Sequence, residues 1–152
     1  VKNIFAHSAI LIALFIAPAA FSVDAIGADA QIKLKMYVVK ATGSGEAGEV
    51  PSTLNDVAGD LKGTGFSNFE LVTSTSFSLP AGASEDHELA EGYSVNVSPK
   101  GDDKSASVQV KFHKGTKKVF SGSSAVTAEK HAMFILRGVY AGGALIVIFT
   151  LE

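Results

Sequence analysis

The stretch "YAGGALIVIFTLE", Tyr140 to Glu152, decides the fold. From Ala144 to Leu151 it is almost unbroken apolar sequence. A bilayer span takes about 20 such residues, so the run is too short to cross one. A sorting signal would need an LPxTG-like motif ahead of it, and the chain has none there. Leu145, Val147, Phe149 and Leu151 fall on one parity, Ile146 and Ile148 on the other. A strand that is apolar on both faces belongs in the middle of a sheet covered on both sides. The run is therefore predicted to be a core strand.

Working outward, the rest of the chain supplies partners for such a strand. "QIKLKMYVVKA" places Ile32, Leu34, Met36 and Val38 on one face and Lys33, Lys35 and Tyr37 on the other, the period of a half-buried strand. After the Gly-rich loop "TGSGEAGE", the segment "VPSTLNDVAGDLKGTG" repeats Leu54, Val57, Ala58 and Leu61 at helical spacing. Pro51 suits its first turn and Gly63 or Gly65 its end, which predicts one helix of about three turns. From Phe66 onward everything reads as strand and turn. "NFELVTSTSFSLP" carries Phe69, Leu71, Thr73, Thr75, Phe77 and Leu79 on a single parity. "YSVNVSP" and "SASVQVKFH" alternate, the latter followed by the tight turn "KGTK", and a short edge strand is expected around His87 to Ala90. The expectation is a mainly β fold, α+β by strict definition: an antiparallel β-sandwich or meander with one short helix after the first strand.

The opening "VKNIFAHSAILIALFIAPAAFSVDAIGADA" has another character. Lys2 precedes an apolar core at about residues 10–20, and an Ala-x-Ala site follows at Ala28, Asp29 and Ala30. That is the layout of a secretory signal peptide. Residues 1–30 are read as a leader, with cleavage after Ala30 or alternatively Ala25, and residues 31–152 as a single β-rich domain. Val1 reads as a bacterial GTG start, so the expected location is periplasmic or secreted, with no integral span after cleavage. The chain's 13 basic and 15 acidic residues give no field that favours nucleic acid. With no Cys, disulfides, Cys-ligated metals and thiol chemistry are excluded.

Chemistry-bearing patterns are sparse. "HELAE", residues 87–91, resembles the HExxH zinc-protease helix with Glu91 in place of the second His. Acidic Glu85 and Asp86 before it and Gly92 after it favour a solvated acidic loop. Glu85, Asp86, His87 and Glu88 are the candidate metal ligands; for calcium the set is Glu85, Asp86, Glu88 and Glu91, whose spacing matches no calcium-loop motif. His113 and His131 have no ligand spacing to each other or to His87. "KFHKGTKK" gathers Lys111, Lys114, Lys117 and Lys118 around one hairpin, where they could grip an anionic polymer or simply keep an edge soluble. No Ser sits in a nucleophile elbow, and the Gly-rich "ATGSGEAGE" lacks the Lys and the helix of a P-loop.

The pieces "LPAG" (79–82), "VNVSP" with "VQVKF", "HKGTKK" and "GGALIVIFTLE" occur in an order that resembles small exported bacterial β-rich proteins of unknown function. That resemblance covers about half the chain and implies a fold without implying an active site. The functional expectation is a non-catalytic exported domain that binds or assembles with a cell-envelope or extracellular protein or polymer, without a cofactor. Self-assembly is left open. The alternatives are an exported metal-dependent hydrolase and a carrier of a small apolar ligand.

Overall fold

The computed structural model describes residues 30–152. Residues 1–29, and with them the expected leader, lie outside the described residues. The chain runs β1 (Gln31–Thr42), a 3₁₀ segment (Ser52–Val57), α1 (Ala58–Lys62), β2 (Asn68–Pro80), β3 (Glu85–Glu88), β4 (Tyr93–Gly101), β5 (Ser105–Lys114), β6 (Lys117–Thr127), β7 (Ala132–Arg137) and β8 (Gly143–Leu151). Two four-stranded sheets result, ordered β2-β1-β8-β7 and β3-β4-β5-β6. Every strand pair is antiparallel. This is the expected mainly β architecture, a sandwich with one short helical segment after its first strand.

The terminal run occupies the place its two apolar faces demand. β8 lies between β1 and β7 and is buried from Gly143 to Thr150. Leu145, Val147 and Phe149 point into the core between the sheets, with Ile32, Leu34, Met36 and Val38 of β1 and Val95, Val97, Val108, Val110 and Phe112 of the second sheet. Ile146 and Ile148 point the other way, into a second core with Tyr37, Val39 and Ala41. Leu54, Val57 and Leu61 of the helical segment cover that outer core, and all three are fully buried. Close approach of β1 and β8 requires Gly143, because a Cβ there would collide with the Ala41 carbonyl.

The covering segment is not the single three-turn helix expected from the spacing. Leu54 leaves helical geometry at φ −113°, and Pro51 stays extended at ψ 143° instead of entering the first turn. Thr53, Val57, Asn55, Asp56 and Gly59 are weak helix formers, and no side chain caps either piece. Burial of Leu54, Val57 and Leu61 holds the segment in place. Tyr37 Oη donates to Asp56 Oδ2 at 2.7 Å, and His131 Nδ1 lies 2.6 Å from Asp60 Oδ2.

A second departure lies in β2. Its odd-numbered residues, expected on one face, divide between two. Val39 pairs with Leu71 and Val38 with Thr73, so Val72 is an extra residue in the ladder. This bulge turns Phe69 and Leu71 to the outer core and leaves Thr73, Thr75, Phe77 and Leu79 facing inward. β6 has the same device: Phe112 pairs with Phe120 and His113 with Lys118, leaving Val119 over. Val72 and Val119 are accordingly exposed, as is Phe120 beside the second bulge. No helix among the described residues is long and apolar enough to cross a membrane.

Candidate functional site

The two sheets differ on their outward faces. That of the second sheet has no helix over it among the described residues and is largely polar. Strand register sets its side chains in rows running from β3 to β6. One row reads Asp86, Asn96, Lys111, Ser121; the next toward the hairpin reads Glu88, Ser94, His113, Lys118. On the other side lie Ser98, Gln109 and Ser123, then Lys100, Ser107 and Ala125. These are the alternate residues of strands whose apolar parity fills the core. Neighbouring strands sit about 4.8 Å apart, so each row offers a hydrogen-bonding group at that interval.

A groove of about 440 Å³ crosses the middle of this face, lined by Ser98, Gln109, Lys111, Ser121 and Ser123, with Gly82 and Ser84 on its rim. Asn96, also in the lining, donates from Nδ2 to Asp86 Oδ1 at 2.9 Å, which fixes its amide. Charge is graded across the face. Asp86 and Glu88 lie on the β3 side, while Lys111, His113 and Lys118 lie on β5 and β6.

The four lysines of the hairpin therefore do not act as one patch. Lys111 and Lys118 share the polar face in adjacent rows, His113 standing beside Lys118 in the second. Lys114 and Lys117 oppose each other at the end of the hairpin on the other parity. Lys114 Nζ sits 5.1 Å from the centre of the Tyr93 ring. The two-residue turn Gly115-Thr116 has its positive φ at Gly115, +58°, which gives the tight connection that sets this register.

The acidic segment is split in the same way. β3 is a strand, so Glu85 and His87 face one side and Asp86 and Glu88 the other. The short edge strand begins two residues earlier than expected and ends at Glu88. Glu91 at φ 56° and Gly92 at φ 75° then form the turn into β4, closed by the Tyr93 amide donating to the Ala90 carbonyl at 3.0 Å. Glu91 therefore does not share a helical face with His87. The His87 ring packs against Phe77, centroids 4.4 Å apart, with Nε2 buried and 3.6 Å from Glu85 Oε1. His131 lies by Asp60 at the covered face, outside the polar rows. Among the described residues no three His, Asp or Glu side chains gather as a metal-ligand group.

Asn96, Ser98, Gln109, Ser121 and Ser123 did not stand out in the sequence, where attention falls on the apolar parity. The signal is the other half of the same alternation in "YSVNVSP" and "SASVQVKFH", continued by the serines of "KVFSGSSAVT". No protein-family model, no curated protein and no solved structure matches the chain.

Proposed function

We propose that this is a non-catalytic exported domain of the bacterial envelope or its exterior, and that it binds an anionic, hydroxyl-rich polymer along the outer face of the second sheet. The observation that carries the reading is the contrast in cover. On the other side of the sandwich the apolar part of the outer face is sealed by Leu54, Val57 and Leu61, whereas this face is open, grooved and largely polar. An extended polymer running across the strands would meet hydroxyl and amide groups in each row. Lys111 and Lys118 would meet its acid groups, and Asp86 and Glu88 would set its direction. No aromatic ring lies among the groove residues, so recognition rests on hydrogen bonds and charge. The leader supports export, and the resemblance to small exported β-rich proteins is consistent with it.

The test is binding to polygalacturonate as an acidic probe and to dextran as a neutral one, measured by calorimetry at low and high salt. The acidic polymer should bind, weaken as salt rises, and lose most of its affinity to Lys111→Glu combined with Lys118→Glu. Equal binding of dextran, or an acidic interaction untouched by that double change, would overturn the proposal.

A further inference from the structure

The sandwich has four strand edges, and three of them are guarded. β3 is four residues long and carries Glu85, Asp86 and Glu88. β7 is six residues long and ends in Arg137. β6 opens with Lys117 and Lys118, is bulged at Val119, and contacts β7 and β8 of the other sheet. Charge, brevity, bulges and cover are the means by which edges avoid pairing.

β2 has less of this, although it too touches the other sheet, at β4 and through Phe77 on His87. It is 13 residues long, with β1 on one side and no strand on the other among the described residues. No charged residue occurs from Leu71 to Pro80. Its bulge at Val72 lies toward one end, which leaves residues 73–79 as regular strand paired to β1. A strand of this kind presents an unprotected row of backbone donors and acceptors.

We propose that the occupant of this edge is a second copy of the same chain, joined through an antiparallel β2–β2 pair with a two-fold axis at Thr75. The sequence is self-complementary about that point. Thr75 would face its own copy, and Thr73 would face Phe77 on the inward side, a β-branched residue beside an aromatic one. Ser74 would face Ser76 on the exposed side. The pairing would span residues 73–77, short of the bulge at Val72, and no pair in it sets like charges opposite each other. The two sheets would join into one of eight strands, in the order β7-β8-β1-β2-β2-β1-β8-β7. Because the axis is perpendicular to that sheet, both polar faces of the second sheets would point the same way. A dimer would thus hold two copies of the groove side by side in opposite senses, raising avidity for two polymer segments without any new contact. Self-association is read without polymer, so it stands or falls apart from the binding proposal.

The experiment is sedimentation of the protein, as recovered from the expressing cell, over a range of concentrations. A concentration-dependent dimer is expected. Ser74→Glu with Ser76→Glu sets acidic residues opposite each other twice and should weaken that dimer at least about tenfold, with the thermal melt confirming the fold. Because the chain has no Cys, Thr75→Cys supplies an independent reading. The two thiols would lie within disulfide reach across the axis, so mild oxidation should give a covalent dimer, whereas Ser123→Cys on the polar face should not. A wild-type protein that stays monomeric up to about 1 mM, or Thr75→Cys cross-linking no faster than Ser123→Cys, would overturn the proposal.

Discussion

The outer faces of the two sheets were built by the same alternation and came out opposite. On the first sheet the second parity is apolar toward one end, with Tyr37, Val39 and Ala41 of β1 and Ile146 and Ile148 of β8, while Lys33 and Lys35 continue it at the other. The apolar end cannot be left to water, and the 3₁₀ segment with α1 exists to cover it. On the second sheet the second parity is Ser94, Asn96, Ser98, Gln109 and Lys111, which needs no cover and receives none. The cost of uncovering differs accordingly. Burial of one large apolar side chain contributes about 1.5–3 kcal/mol, whereas an exposed Ser or Gln contributes almost nothing to stability. The first sheet is therefore the stabilising half of the molecule and the second sheet's exterior is free to serve function.

Removing β8 should break this comparison most completely. Ile148 is fully buried on the outer side and Phe149 on the inner side of the same strand. Net stabilities of whole domains are about 5–15 kcal/mol, so deletion of residues 145–152 should abolish the cooperative thermal transition. Ile148→Lys alone places an unpaired charge in the outer core and should come close to the same result. A truncated form melting at an unchanged temperature would show that the strand is an appendage.

Truncating the cover comes next. Leu61 is fully buried against the first sheet, so Leu61→Ala should cost about 2–5 kcal/mol in chemical denaturation. A loss below about 0.5 kcal/mol, the range of surface changes, would mean the cover is dispensable.

Tyr37→Phe is smaller and carries a pH signature. Loss of the hydrogen bond to Asp56 should cost about 1 kcal/mol at neutral pH. Burial raises the Tyr37 hydroxyl above its ordinary value, aided by Asp56 and opposed by Lys35. The neighbouring Tyr37, over whose ring Lys35 Nζ lies at 4.9 Å, likewise raises Lys35. A folded pKa above the unfolded one means stability that is fully present below about pH 10 and lost as pH climbs beyond it. The wild type should therefore weaken as pH rises above about 10, and the Phe variant should weaken less there. Parallel pH profiles would remove Tyr37 from the account.

The alternation in β1, β4, β5 and β8 made most of the sandwich legible in the sequence, because period two and burial are the same fact seen twice. The bulges at Val72 and Val119 were not legible. A bulge is chosen by the partner strand's register and has no local pattern of its own. The helical segment was found by Leu54, Val57 and Leu61, but its break at Leu54 follows from how those side chains reach the sheet. At the candidate site the lysines were visible and their division was not, since only the hairpin register tells that Lys111 and Lys118 share a face while Lys114 turns to Tyr93. The neutral groove residues carry no distinguishing type. Ser98, Gln109 and Ser123 become a site only when three strands bring them into one row.

That row offers the smallest expected effect on stability and the sharpest contrast with the first sheet. Gln109 and Ser123 are exposed, oppose each other across β5 and β6, and have no side-chain hydrogen bond within the described residues. Gln109→Ala with Ser123→Ala should change the unfolding free energy by no more than about 0.5 kcal/mol. The core residues that alternate with them, Val108 and Val110, stay untouched and buried. If the face binds a polymer, the same double change removes hydrogen-bonding groups from the middle row and should weaken binding, each lost bond being worth about 0.5–1.5 kcal/mol. It should leave the salt dependence carried by Lys111 and Lys118 in place. Denaturation and calorimetry on one preparation measure both quantities. A stability loss as large as that of Leu61→Ala would mean the polar face is structural after all. Unchanged polymer affinity would move the binding surface off this row.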